Sequence, residues 1–213
     1  LFTSNHHFTA KEYANEHRPE MMDVRYLSDA PFTRADVIRV LIENSVRDEV
    51  KHLFRLAISS IVVPVSNIRY GPGMGLIKPK EDVDVLKLFR EKINRMIFDL
   101  ERVDPQVKGV PADVYLGDSR NLAQHFVTDS VDFMITSPPY PGDHEYTKYT
   151  KLEFMFMGYT ANMNDFRKVR KRMLRGATTN IYKDDNDAQH IQDFKSIQEI
   201  TKKIDRRLKQ SGA

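Results

Sequence analysis

Two consecutive prolines, Pro138-Pro139, impose the strongest local constraint on this chain. They close an apolar run, Val131-Asp132-Phe133-Met134-Ile135-Thr136, whose length and bounding turn residues predict a buried strand. Proline locks its own φ, biases the preceding residue away from helix and removes a backbone N–H. The strand is therefore expected to stop at Ser137, where the chain offers carbonyls with few competing donors. Ser137 and Tyr140 flank the pair, giving Ser137-Pro138-Pro139-Tyr140. Taken alone, this is a turn with a tyrosine packed beside it.

The preceding residues add to that reading. Val114-Tyr115-Leu116 predicts a second short strand, ending in Gly117-Asp118-Ser119-Arg120. Residues 121–126 read as helical, and Thr128-Asp129-Ser130 as a turn. The order is strand, Gly-Asp, helix, turn, strand, Ser-Pro-Pro-Tyr. Over residues 112–160 it resembles S-adenosylmethionine-dependent DNA amino-methyltransferases, in the stretch from their cofactor-adenine acid to their catalytic loop. The serine-first tetrapeptide is similar to the cytosine-N4 enzymes; adenine-N6 enzymes more often begin with Asp or Asn.

The resemblance implies a fold, a reaction and a set of residues. The expected fold is α/β, part of a doubly wound (Rossmann-like) methyltransferase sheet with a large helical segment in front. Residues 1–110 would be that helical segment, an insertion or a DNA-facing region. Residues 111–213 would be a partial methyltransferase core. Ser137, Pro138, Pro139 and Tyr140 carry over as catalytic residues, and Asp118, Ser119 and Ser137 as contacts to S-adenosylmethionine. Double-stranded DNA is the implied substrate, in a cytoplasmic modification enzyme of prokaryotic or phage type. Adenine-N6 methylation is the alternative reaction. RNA or a protein glutamine amide is a more distant substrate, and a non-catalytic DNA-binding or assembly piece is the reading of a different class.

The tetrapeptide also makes chemical sense residue by residue. An exocyclic base amine is a poor nucleophile, because its lone pair is delocalised into the ring. Acceptors placed in advance for both amine hydrogens draw the nitrogen toward a tetrahedral shape. The Pro138 carbonyl and the Ser137 hydroxyl are such acceptors. Tyr140 offers a face on which a flipped base can stack. Zero cysteines exclude disulfides, cysteine-based zinc sites and the thiol chemistry of carbon-5 methylation. No metal is expected.

At 213 residues, 40% hydrophobic and 30% charged, the chain has a globular composition and room for one domain or one and a half. A net charge of +3 is too small to argue nucleic-acid binding by itself. The basic run from Arg167 to Arg175 is more pointed. Arg167, Lys168, Arg170, Lys171 and Arg172 are read as phosphate contacts, against the alternative of a solvated helix face. Arg69 and Lys78 are further candidates.

The first thirty residues read as polar and irregular, with His6, His7 and His17 as surface residues. Helices are expected over 33–63, with Thr33 as N-cap, and over 82–103, with Val85, Leu88, Phe89, Met96, Ile97 and Leu100 on its buried face. Gly71-Pro72-Gly73-Met74-Gly75 reads as an ordinary connector rather than a nucleotide loop. Asp143, His144 and Glu145 either close the target pocket or form a solvated loop. A helix is expected from Glu145 to Gly158, with Tyr146 and Tyr149 either lining the pocket or packing. A last amphipathic helix carries Ile191, Phe194, Ile197, Ile200, Ile204 and Leu208.

The family's glycine-rich cofactor loop has no counterpart here, nor has the acid that would hold the ribose. In its strand order, the two strands expected here would not be neighbours. The chain therefore reads as a middle section, with the remainder on another chain or segment.

Overall fold

The computed structural model describes residues 9–71, 74–138, 140, 145–174, 182 and 185–211. The protein is mostly helical (58%), and its only sheet among the described residues is a two-stranded antiparallel one. The doubly wound sheet expected from the sequence is therefore not the fold found. The described residues fall into two compact units, one from residues 1–109 and 145–170, the other from 110–144 and 171–213.

The first unit holds the hydrophobic core. Helix α1 (Ala10–His17) lies in a stretch that reads as irregular, but the sequence does contain its start signal. Thr9 and Glu12 form a capping box: the Glu12 amide donates to Thr9 Oγ1 (3.2 Å) and the Thr9 amide to Glu12 Oε2 (2.7 Å). Helix α2 (Asp29–Ser45) begins four residues before the expected cap Thr33. Pro31 is tolerated because it sits in the first turn, where its missing N–H has no helical acceptor. Thr33 instead donates its hydroxyl to the Ala10 carbonyl (2.9 Å), tying α2 to α1. Asp36 is buried and is satisfied by Arg39 (2.7 Å) and the Tyr13 hydroxyl (3.1 Å).

Helix α3 (Asp48–Val65) carries Pro64 in its last turn and ends directly after it. Its buried face is Ala57, Ile58, Ile61, Val62 and Val65. Strands β1 (Ile68–Tyr70) and β2 (Met74–Leu76) pair with Arg69 opposite Gly75, so the glycine-rich connector is a hairpin; Pro72 and Gly73 lie outside the described residues. Helix α4 (Val85–Glu101) starts at Asp84, whose carboxylate caps the Lys87 amide (2.9 Å). Only its first half packs: Val85 is buried and Leu88 and Phe89 lie against the core. Ile97 and Leu100, expected inside, are exposed. The hydrophobic spacing is real, but no described element covers that end.

After the second unit's first segment the chain returns as α5 (Tyr146–Tyr149), α6 (Lys151–Phe156) and α7 (Met163–Arg172). The single helix expected over 145–158 is broken at Thr150, whose φ/ψ of −119°/6° is non-helical. Its end is as expected: Gly158 takes φ 75°, the Tyr159 amide donates to the Phe154 carbonyl (2.9 Å) and the Gly158 amide to that of Met155 (3.2 Å). These two bonds satisfy the last helical carbonyls, and the left-handed backbone favours glycine. Leu152, Met155 and Phe156 complete the core, with Phe156 edge-on to Phe32 (centroids 6.5 Å apart).

The second unit is differently built. It contains a 3₁₀ turn at Ser119–Gln124, another at Asp187–Ile191, and helix α8 (Lys195–Ser211). None of its described apolar side chains is buried. The two expected strands are unpaired and exposed: Leu116 is fully accessible and Ile135 is 87% accessible. A strand is stable only through its neighbours, and no described segment pairs with either of these in a sheet. The turn between them does form, with Asp129 at φ 59° and the Ser130 amide donating to Val127 (3.3 Å).

Asn67 joins three pieces of the first unit. Its side chain donates to the Arg25 carbonyl (3.2 Å) and Ser28 Oγ (3.1 Å) and accepts from the Lys80 amide (2.8 Å). Asn67→Ala strands all three partners, two of them on the segment before α2. Loss of about 2 kcal/mol or more of unfolding free energy is expected, measured by urea denaturation monitored by circular dichroism. Asn67→Asp should be at least as destabilising as the alanine variant, because it buries a carboxylate against the Arg25 carbonyl with no paired cation.

Candidate functional site

The polar cluster of the second unit is organised by Arg120. Asp118 precedes the Ser119–Gln124 turn in extended backbone and accepts from the Arg120 amide at 2.9 Å. Its carboxylate also accepts from Arg120 Nε (2.9 Å) and Nη2 (2.6 Å). The same guanidinium donates to Asp187 through Nη1 and to the Arg172 carbonyl through Nη2 (3.1 Å). One side chain therefore ties together segments 67 and 52 residues away in sequence. The planar fork of arginine, with donors on several edges, is what permits this.

The Arg120 guanidinium, hydrogen-bonded to its carboxylate, holds Asp118 down at about 2. Arg120 in turn is pushed further above its usual value, chiefly by the Asp118 bond. Gly117 has little space of its own: a Cβ there would lie 2.6 Å from His125 Nε2. His125 packs on the Tyr115 ring, centroids 5.0 Å apart. The Gly-Asp pair read from the sequence thus lies in a tight local arrangement.

Beside Asp118 opens a cavity of about 350 Å³, lined among others by Arg120, Asn121, Lys171, Tyr182 and His190. The Lys171 ammonium stands 5.3 Å from the centre of the Tyr182 ring. Carboxylate, amide, aromatic and cationic groups face one small space. Such a set suits a small polar ligand with both donors and acceptors.

The expected catalytic residues lie elsewhere in this unit. Ser137 and Pro138 are exposed and have no regular secondary structure; Pro139 lies outside the described residues. Tyr140 is 71% accessible. Ser137 makes no hydrogen bond among the described residues, so its hydroxyl has no protein partner there. Ser119 is exposed at the start of the 3₁₀ turn. Asp143 and His144 lie outside the described residues.

The five cations expected at phosphate divide on inspection. Lys168 pairs with Asp165 (3.1 Å) one turn earlier, and Arg170 pairs with the largely buried carboxylate of Glu145. Arg170 is thereby engaged inside the first unit. Burial opposes the charge of Glu145, yet its bonds to Thr147 and Lys148 and the charge of Arg170 leave it below the usual carboxylate range. Lys171 lies on Tyr182. Arg167 bonds only the neutral Asn164 (3.3 Å), and neither it nor Arg172 has an ion pair among the described residues. Arg175 lies outside the described residues. Arg69 and Lys78 are exposed on and after the hairpin.

Sequence reasoning missed Arg120, Asp187 and Tyr182 as a group. An Asp-x-Arg pair is too common to single out, and no spacing rule connects residues 120 and 187. It also missed the half-buried pair Tyr70 and Glu153 of the first unit. Burial, and then the Glu153 charge, pushes Tyr70 up to about 12, and burial raises Glu153.

No group of three or more His, Asp or Glu able to hold a metal ion occurs among the described residues. No helix among them is long and apolar enough to cross a membrane. Comparison with known proteins finds no matching family model, no similar curated protein and no similar solved structure.

The Asp118–Arg120 pair has a pH signature. A carboxylate lowered by folding stabilises the fold fully above its unfolded value, about 3.9, and that contribution disappears as pH falls toward about 2. Carbon-detected NMR of the Asp118 carboxyl should show titration near pH 2 in the parent. In Arg120→Gln it should return to the ordinary range, near about 4.

Proposed function

We propose that this chain carries the target-amine segment of an S-adenosylmethionine-dependent DNA methyltransferase that modifies the N4 amine of cytosine. The single observation that carries this reading is the ordered pair of motifs, Gly117-Asp118 and Ser137-Pro138-Pro139-Tyr140, separated by a helical turn and an Asp-containing bend. The exposure of Ser137 and Pro138 supports it, because acceptors already used inside the protein could not meet a base amine. A cytoplasmic modification enzyme acting on double-stranded DNA is the setting this reading implies.

In this reading the Pro138 carbonyl and the Ser137 hydroxyl accept the two amine hydrogens and orient the nitrogen lone pair toward the methyl donor. Tyr140 stacks on the extruded base. The group transferred comes from S-adenosylmethionine, whose activated methyl makes a strong base unnecessary at the start. Asp118, with Asn121 and Tyr182 on the same cavity, suits the adenosine end of that cofactor. The fit is partial. Arg120 already engages the Asp118 carboxylate, and the described residues contain no glycine-rich cradle for the rest of the molecule.

The engaged Asp118 favours one rival of a different class, a DNA-binding or assembly piece without transfer activity. Labelled cofactor, duplex DNA and the protein decide between them. Methyl label on cytosine N4 is the expected result, label on adenine N6 would move the target base, and DNA binding without label would favour the rival. Where transfer occurs, Ser137→Ala and Tyr140→Ala should each lower kcat about 100-fold, on the scale seen when one oriented polar contact is removed. Near-parental rates would take both residues out of the mechanism. Arg167→Ala should weaken duplex binding at every sequence and reduce the salt slope by about one, read from affinities at several salt concentrations. Arg170→Ala should instead lower stability, because it removes one of the cations paired with the largely buried Glu145 carboxylate.

A further inference from the structure

Helix α8 presents an apolar stripe that no described residue of its own unit buries. Ile197, Ile200, Ile204 and Leu208 recur at helical spacing, all four are exposed, and the helix has no buried residue. Its other faces are strongly basic: Lys195, Lys202, Lys203, Arg206, Arg207 and Lys209 against Glu199 and Asp205. Lys203 and Arg207 stand one turn apart on the Ile200 side of the stripe. Two such helices would repel each other, so the charge pattern calls for an acidic partner rather than another α8.

The first unit carries a groove of the opposite character. It runs along one face of α2, through Val37, Ile38 and Leu41, and is closed on the far side by Leu86 at the start of α4. Its volume is about 690 Å³, and Leu41 and Leu86 are both more than half exposed. Asp82 and Asp84 stand on its rim, with Glu81 next in sequence, and neither aspartate takes part in an ion pair among the described residues. Arg34 also lines it, but donates to the Val83 carbonyl (3.0 Å).

We propose that the partner of α8 is a second copy of this chain, its apolar stripe seated in this groove with Lys203 and Arg207 against Glu81 and Asp82. The exchange is reciprocal, so two copies bury two stripes and form a closed two-fold dimer. Helix-in-groove docking of this kind uses anchors at i, i+3, i+7 and i+11, the spacing that Ile197, Ile200, Ile204 and Leu208 provide.

Sedimentation of the 213-residue chain across a wide concentration range tests this. A species of twice 24.8 kDa is expected at high concentration. Ile204→Asp on the helix and Leu41→Asp in the groove should each weaken dimerisation at least about tenfold. Reversing Lys203 and Arg207 to Glu changes only exposed residues, so folding is not at risk; it should also weaken the dimer about tenfold, more at low salt. Adding Glu81→Lys and Asp82→Lys to that variant should restore it. A monomer at every concentration overturns the proposal, as does a dimer indifferent to these changes or one not rescued by the double reversal. A monomer that binds phosphatidylserine vesicles through α8 overturns it in favour of a membrane surface.

Discussion

The first unit depends on one buried amide. Asn67, 1% accessible, lies between α3 and β1 and bonds through both its side chain and its backbone. Its amide N–H donates to the Tyr26 carbonyl and its own carbonyl accepts from Ile77, both at 2.8 Å. Together with its side-chain bonds to Arg25, Ser28 and Lys80, this fixes the end of α3, the loop before α2 and the chain leaving the hairpin. A buried polar group in this position costs stability unless each donor and acceptor is met, and here they are. Arg18 strengthens the same corner, donating to the Leu27 carbonyl (2.6 Å) and Asp29 (2.7 Å) while lying 4.4 Å over the Phe32 ring.

The described residues of the second unit show no comparable constraint. Arg120 and the carboxylates it gathers are its main tie between distant segments, and its described apolar side chains remain in contact with solvent. A charged cluster on a surface is weak cement compared with a core. The contrast bears on function. The residues to which the proposed function gives chemistry, Asp118 and Ser137 to Tyr140, belong to the unit whose described apolar side chains are all left unburied. An enzyme of the proposed kind needs a dry, rigid pocket around the base, and no described apolar side chain of this unit is buried to form one.

Much of the first unit was legible in the sequence. Ala57 and Ile61 of α3 and Val85, Leu88 and Phe89 of α4 lie in or against the core, as helical spacing predicts, whereas Leu56, on the same expected stripe, is 60% exposed. Gly158 ends its helix by the mechanism its identity suggests. Thr9-x-x-Glu12 was an available signal for α1 that the polar composition around it obscured. Thr33 and Thr150 were misread because propensity treats each residue locally: Thr33 looks like a cap yet serves to tie two helices, and Thr150 looks helical yet breaks one. The distal half of α4 has a correct hydrophobic stripe but an incorrect expectation of burial, since periodicity says which face is apolar and not whether anything covers it. The Arg120 cluster was not legible at all, because its members are joined by folding and not by spacing.

The sequence by itself determined the local chemistry of this protein: the missing N–H donors of Pro138-Pro139, the acceptor-rich tetrapeptide, the Gly117-Asp118 pair, and the absence of cysteine. These follow from residue identity and nearest neighbours, which no fold alters. Only the tertiary structure decided that residues 114–116 and 131–136 are not strands, that Asp118 is bound by Arg120, and that Arg170 serves Glu145 while Arg167 and Arg172 lack a carboxylate partner among the described residues. Strand formation and ion pairing are relations between distant parts of a chain. Their outcome depends on which partners come within a few ångströms, and that information is not carried by any short segment.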